Sequence, residues 1–200
     1  MIYIDKIKDE RLRKAVKKVY SKYGYKLHFL PSSFTGHHHP PDERGLDGLK
    51  KHIEKVCWFL DCVADEFLYS DEVRDILLTA AYFHDIGKVE QIKVNEELIL
   101  KSRKAKHQVR IEREVKGPDL HAQIGVAIAT EYLKEQGVDF SMIKTITEII
   151  DTHMGHWYYK KPLTELQRMF ALADFVVSRD EFRIGRKESR WTTIRKKLKR

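Results

Sequence analysis

The chain has 200 residues, a length that suits one domain, since domains take roughly 100–200 residues. Hydrophobic residues make up 42% and charged residues 34%, which excludes both a disordered polar chain and a membrane protein. Apolar runs such as Val56–Leu60 are far shorter than the about 20 residues that span a bilayer. Residues Met1–Lys6 carry no export signal, so we expect a cytoplasmic protein. Two cysteines, Cys57 and Cys62, are too few for a disulfide framework, and we interpret both as reduced core residues.

The formal net charge of +8 is concentrated at the C-terminus. Residues 183–200 hold nine Lys and Arg residues and one acid, Glu188, whereas the other 182 residues hold 29 basic and 29 acidic residues. A basic tail on a neutral body predicts contact with nucleic acid or another polyanion.

Apolar residues recur at helical spacing through most of the chain. Residues 5–22 predict a charged amphipathic helix, and a loop rich in Gly, Pro and His follows from about Ser32 to Gly48. A long helix is predicted over Leu49–Phe67. A further helix is predicted from Asp71, as its N-cap, to Phe83, with Gly87 ending it.

Residues 89–117 change this pattern. Alternating Val109, Ile111 and Val115, with a polar break at residues 95–97, predict a β-hairpin or flap. Helical spacing returns in three later segments, at residues 120–128, 143–150 and 166–177. The predicted fold is therefore all-α, a bundle of about six helices with a small β-hairpin insertion at about 89–117.

Six polar residues lie on or beside the apolar stripes, so their side chains are predicted to point inward: His52, His84, Asp85, His121, His153 and Asp174. Burying a single imidazole or carboxylate without a partner costs several kcal/mol, so six of them need a shared explanation. Nitrogen and oxygen donors suit manganese, iron, cobalt, nickel or zinc, and the lack of cysteine ligands argues against a structural zinc site. Six ligands exceed what one open catalytic ion takes from protein, which favours two ions bridged by one carboxylate.

The order of these residues resembles the HD superfamily of metal-dependent phosphohydrolases. The resemblance covers roughly residues 31–180 and rests on His52, on the doublet His84-Asp85 within Phe83–Lys88, and on the distal Asp174. It implies one HD-type helical domain over residues 1–182, with the basic tail 183–200 after it. It also implies two divalent metal ions, the first held by His52, His84, Asp85 and Asp174 and the second by Asp85, His121 and His153. Manganese is the favoured metal, with iron, cobalt, nickel, zinc and magnesium as alternatives.

A more local stretch is similar to HD-domain 3′-to-5′ exoribonucleases. It comprises Leu30–Ser32, the histidines His37–His39, then Gly45–Leu49 and His52. Asp47 and the stretch 40–44 interrupt the spacing usual in that group. A solvated polar loop is the alternative interpretation of the three histidines.

The predicted chemistry is attack on phosphorus by a water that two ions activate, with Asp85 as the bridging ligand. Lys88 is placed to counter charge in the transition state, the alternative being an exposed lysine after a helix end. His156 is expected to protonate a leaving oxygen, unless it is only a loop histidine. Four further residues are candidates for binding substrate: His38, His39, Arg110 in the flap and Trp157 in an aromatic run that would stack bases.

These patterns predict a dinuclear metal-dependent phosphodiesterase acting on nucleic acid, with single-stranded RNA or DNA as its partner. The 3′-to-5′ polarity is implied only by the local resemblance. Two alternatives stay open at this point, a hydrolase of nucleoside phosphates or cyclic nucleotides, and a nucleic-acid-binding module with a silent metal site. The residues do not indicate whether a protein partner selects the substrate.

Overall fold

A computed structural model describes residues 2–33, 39–94, 113–115, 120–155 and 160–179. The part of the chain that it describes is built mainly from helices, as predicted. The α-helices are α1 (Glu10–Phe29), α2 (Gly48–Glu66), α3 (Asp71–Phe83), α4 (Lys88–Gln91), α5 (His121–Glu135), α6 (Phe140–Thr152) and α7 (Glu165–Val177). Short 3-10 helices at Ile4–Lys6 and Pro41–Glu43 precede α1 and α2.

The helices enclose one hydrophobic core. Helix α2 packs against α3 and α7, α6 packs against α3, α5 and α7, and α1 lies across α5, α2 and α3. The largest fully buried side chains include Tyr82, Phe29, Phe83 and Phe170, which come from three different helices, α1, α3 and α7. Because each helix buries one apolar face, the polar residues on those faces are carried inward with it.

Side-chain caps fix where several helices begin. The Asp9 carboxylate accepts hydrogen bonds from the N–H groups of Arg11 and Leu12, so α1 begins at Glu10 rather than at residue 5, and it continues to Phe29 rather than to 22. Ser70, not Asp71, caps α3, and its hydroxyl accepts the N–H of Val73. Thr164 and Gln167 form a reciprocal capping box at the start of α7.

The region predicted as a flap is described only in part. Val89 belongs to helix α4, so a hairpin beginning at 89 was wrong at that end. Strand β1 (Ile92–Val94) then pairs antiparallel with β2 (Arg113–Val115), and Ile92 stands opposite Val115. The remainder of the predicted hairpin lies outside the described residues, so the flap as a whole stays a prediction.

Two further expectations concern the surface. Cys57 is buried, but Cys62 is exposed on α2, so the interpretation of Cys62 as a core residue was wrong. None of the helices that the structure describes is long and apolar enough to cross a membrane. The basic tail 183–200 lies outside the described residues.

Candidate metal centre

The six predicted metal ligands converge inside the bundle. They come from five parts of the chain: His52 from α2, His84 and Asp85 from the turn after α3, His121 from the first turn of α5, His153 from the end of α6 and Asp174 from α7. Five of the six side chains are between 0% and 4% exposed, whereas Asp174 is 17% exposed. Among these six ligands, the side of Asp174 is therefore the most open to solvent.

The first group of donors surrounds the imidazole of His52. Its Nε2 atom lies 2.9 Å from Oδ1 of Asp174 and 3.3 Å from Nε2 of His84. Oδ2 of Asp85 lies 3.8 Å from the His52 nitrogen and 3.6 Å from the His84 nitrogen. We call His52, His84, Asp85 and Asp174 the first donor group.

The second group of donors lies on the other side of Asp85. Nε2 of His121 is 3.2 Å from Nε2 of His153. Oδ1 of Asp85 is 3.3 Å from the His121 nitrogen and 3.7 Å from the His153 nitrogen. Asp85 therefore offers Oδ2 to the first donor group and Oδ1 to the second, which consists of Asp85, His121 and His153.

The hydrogen bonds of two histidines orient their donor atoms. Nδ1 of His84 donates to the carbonyl oxygen of Ala81 at 2.7 Å, and Nδ1 of His153 donates to that of Ile150 at 2.6 Å. In the neutral imidazole these bonds leave Nε2 with its lone pair, which is the form that binds a metal. Nitrogens bound about 2.1 Å from one ion lie about 3.0–3.4 Å apart, so the spacings between imidazoles fit a divalent cation in each group.

Burial and charge act in opposite directions in this centre. Burial, together with His84 and His121, lowers the pKa of His153 to about 3, so this imidazole is neutral. Burial alone would lower the pKa of His52, but Asp174 and Glu43 raise it to about 9. Burial would likewise raise the pKa of Asp85, yet Lys88 and the neighbouring imidazoles hold it well below its usual range. The carboxylate that joins the two groups is therefore ionised.

A close backbone contact positions the turn that carries the doublet. A Cβ atom on Gly87 would lie 2.0 Å from the carbonyl oxygen of His121 and 2.8 Å from the nitrogen of Gly125. Glycine at 87 therefore lets the start of α5 reach the turn after α3, and this contact brings His121 next to Asp85.

Lys88 is buried rather than exposed, with 7% of its surface accessible. Its ammonium donates to Oδ2 of Asp85 at 2.6 Å and to the carbonyl oxygen of Ser32 at 2.5 Å. The alternative of an exposed lysine was wrong.

His39 is also buried, which rules out a fully solvated loop at that position. Its ring lies edge-on to His52, with centroids 4.7 Å apart. Binding of substrate by His39 stays a prediction. Four other candidates lie outside the described residues, namely His38, Arg110, His156 and Trp157.

Sequence reasoning missed two charged residues beside His52. Glu43 is fully buried, and its Oε1 accepts a 2.5 Å hydrogen bond from the ammonium of Lys55. Lys55 follows His52 by three residues and so lies on the same side of α2, a spacing that could have drawn attention to it. Glu43 gives no such signal, because its burial depends on the path of the loop before α2.

Comparisons with known proteins find similarity over most of the chain. A family model of the HD domain matches residues 49–177, which is more than half of the chain. The chain is 24% identical over 164 residues to the 3′-5′ exoribonuclease YhaM of Bacillus pumilus (strain SAFR-032). The match takes in 81% of this chain and 46% of that protein, so the chain spans about half the length of this relative. No solved structure matched the chain.

Proposed function

Since this chain belongs to the HD domain family and is a metal-dependent hydrolase of that superfamily, we propose that it hydrolyses the phosphodiester bonds of single-stranded nucleic acid from the 3′ end. The observation that carries the proposal is the position of Asp85, whose two oxygens face two separate groups of imidazoles. This arrangement suits two divalent ions, and its nitrogen and oxygen donors are compatible with manganese, the metal that we propose.

The side chains of the two donor groups would hold these ions. His52, His84 and Asp174 would bind the first, His121 and His153 the second, and Asp85 both. When bound, such ions activate water for attack on phosphorus and neutralise the phosphoryl oxygens. Lys88 compensates the charge of Asp85 and keeps its carboxylate in place through the bond to Ser32. Contact of Lys88 or His156 with the substrate is part of this proposal.

A polymeric substrate is favoured by the helix that carries Asp174. Residues Arg168, Leu172, Phe175 and Arg179 recur every three or four positions on α7 and just beyond it. Leu172 is 56% and Phe175 44% exposed, and the guanidinium of Arg179 lies 3.9 Å from the centre of the Phe175 ring. Aromatic and arginine side chains together bind bases and phosphates of single strands. The relative is an exoribonuclease by name, which agrees with such a substrate.

The test is hydrolysis of 5′-labelled single-stranded RNA and DNA oligomers, beside nucleoside triphosphates and cyclic dinucleotides, with manganese, cobalt, nickel or magnesium. We expect a ladder of shortened 5′-labelled products that needs the metal and is lost in Asp85→Ala. Asp151→Asn, a change of a carboxylate outside both donor groups, is the matched control and should keep the activity.

Two other results would reject the proposal in different ways. Turnover of mononucleotides or cyclic dinucleotides alone would assign the site to small nucleotides. Binding of oligomers without hydrolysis of any substrate, unchanged in Asp85→Ala, would indicate a binding module.

A further inference from the structure

Glu43 is a fully buried carboxylate outside both donor groups. Its Oε2 atom accepts a hydrogen bond from Nδ1 of His39 at 2.8 Å and lies 3.4 Å from Nδ1 of His52. Its Oε1 atom accepts from the ammonium of Lys55 at 2.5 Å. Burial of an unpaired carboxylate would cost several kcal/mol of folding free energy. The partners of Glu43 offset this cost, so the fold holds the side chain in a defined position.

The position of Lys55 argues against a third metal ion at this place. His39, Glu43 and His52 present ligand-type atoms close to one another. However, the Lys55 ammonium is buried and already lies against Oε1, so it supplies the positive charge that an ion would bring. The carboxylate is thus left to act on the imidazoles through Oε2.

His52 differs from the two histidines whose Nδ1 partners are carbonyl oxygens. His84 and His153 donate to Ala81 and Ile150 in the preceding helical turns. Nδ1 of His52 is buried and forms no hydrogen bond within the described residues, and Oε2 of Glu43 is the acceptor that faces it. A carboxylate behind a metal-binding histidine fixes which nitrogen carries the proton and makes the other a stronger donor.

The backbone of Glu43 is itself held in place. Its carbonyl oxygen accepts the N–H and the hydroxyl of Ser32, both at 3.0 Å. A Cβ on Gly48 would lie 2.1 Å from that oxygen, so the backbone at the start of α2 packs directly against the carbonyl group of Glu43. The Ser32 carbonyl in turn accepts from Lys88, which bonds Asp85. Glu43 therefore lies against His52, and its partner Ser32 is linked to Asp85 through Lys88.

We propose that Glu43 is a positioning residue for His52, accepting its Nδ1–H so that Nε2 is held as a metal donor in the first donor group. The inference rests on the metal centre of the proposed function but not on its substrate. It predicts an effect confined to one of the two groups, which a general loss of stability would not produce.

The experiment measures Co(II) binding to the full chain by calorimetry and by the visible absorption of the bound ion. Glu43→Gln is introduced into His121→Ala, which keeps the first donor group, and separately into Asp174→Ala, which keeps the second. In the His121→Ala background we expect affinity to fall about 10-fold or more, with a changed spectrum. In the Asp174→Ala background we expect both to be unchanged. Asp42→Asn, on the same turn and likewise paired with Lys55 but without a bond to any histidine that the structure describes, is the control.

A second variant shows whether a loss of metal affinity comes from misfolding. Glu43→Gln/Lys55→Gln removes both charges of the buried pair, and circular dichroism confirms the fold of each protein. Equal losses in both backgrounds, or no loss in folded protein, would overturn the inference. A wild type that binds no Co(II) would overturn it together with the metal centre. The expected Co(II) pattern without hydrolysis of oligomers would support the inference and reject only the proposed substrate.

Discussion

Asp85 links the two donor groups with a single side chain. Its Oδ2 accepts from Lys88 at 2.6 Å and faces His52 and His84, while Oδ1 faces His121 and His153. Loss of this residue therefore affects both groups, whereas loss of His121 or Asp174 affects one. The number of ions that each variant binds therefore measures whether one donor group or both are disturbed.

We expect the wild type to bind two Mn(II) ions, with His121→Ala and Asp174→Ala each retaining one tightly bound ion and Asp85→Ala retaining none. The reason is that each ion depends on its own imidazoles but both depend on the bridging carboxylate. Metal analysis after gel filtration gives the stoichiometry. One ion lost from Asp85→Ala, with the other held as in the wild type, would contradict a bridging role.

Two glycines in helical surroundings allow a matched test of close packing. A Cβ at Gly87 would lie 2.0 Å from the His121 carbonyl oxygen, whereas a Cβ at Gly24 in α1 meets no atom within 4 Å. We expect Gly87→Ala to destabilise the protein by about 1–3 kcal/mol through forced backbone shifts. Gly24→Ala should stabilise it by about 0.5–1 kcal/mol through helix propensity. Urea unfolding followed by circular dichroism measures both, and equal effects would show that the contact at Gly87 is unimportant.

At the scale of elements, helix α1 shows why patterns place a helix better than they place its ends. The predicted start at residue 5 ignores that the N–H groups of Lys8 and Asp9 donate to the carboxylate of Asp75 on α3. These bonds hold the chain extended at Asp9, whose side chain then caps α1. The contact between residues 66 positions apart in the chain is not visible in local spacing.

Removal of the Asp9 cap should destabilise α1. Asp9→Ala is expected to cost about 1 kcal/mol, which corresponds to about 2–4 °C in melting temperature for a chain of this size. A hydrogen bond from Arg11 and the helix N–H groups lower the pKa of Asp9, although partial burial opposes them. The charge-dependent part of the stabilisation is therefore present above the unfolded pKa of about 4 and is lost as the pH falls through the folded value.

Thermal melts of wild type, Asp9→Ala and Asp9→Asn at pH 7 and pH 3 check this expectation. Asn is the control because it still caps a helix but carries no charge. The gap between wild type and Asp9→Asn should narrow at pH 3. A gap that stays constant with pH would show that the charge of Asp9 contributes nothing.

Helix α7 joins the metal centre to the surface with exposed Phe175. We expect Phe175→Ala to weaken binding of a single-stranded oligomer about 10-fold, because stacking of one base is worth about 1–3 kcal/mol. Phe140→Ala is the control, since Phe140 is also exposed but begins α6, about 20 Å from the end that carries His153.

Fluorescence anisotropy of the oligomer gives the affinity, and hydrolysis of bis(p-nitrophenyl) phosphate reports on the centre alone. The small substrate should be hydrolysed equally by both variants. A parallel loss on both substrates in Phe175→Ala would mean that the change disturbs Asp174 rather than a strand-binding surface.

At the scale of the whole molecule, the sequence predicted the helices and the inward-facing polar residues, because both depend on the periodic spacing of apolar residues. The six candidate ligands were identified because each lies in phase with, or directly beside, an apolar stripe, and all six lie within residues 49–177, which the HD family model matches. Glu43 was missed because a loop path, not a period, buries it, whereas Lys55 lies on α2 at a spacing from His52 that could have drawn attention to it. Cys62 was misplaced because an apolar residue type within α2 was taken for an inward-facing one.

The candidate metal centre draws together residues on or next to α2, α3, α5, α6 and α7, so binding of ions there should stabilise the entire bundle. An ion at 100 times its dissociation constant adds about 2.7 kcal/mol to the free energy of unfolding. This corresponds to a rise of about 5–10 °C in melting temperature.

Calorimetric scans with EDTA and with Mn(II) give the shift, and Asp85→Asn provides an almost isosteric control that should show little of it. A variant with Asp151→Asn, outside the centre, should shift as the wild type does. If Asp85→Asn gained as much stability from Mn(II) as the wild type, the ion would bind elsewhere. The ion pair of Asp85 with Lys88 would then have only a structural role. The stabilisation by Mn(II) would not come from the residues that converge on Asp85.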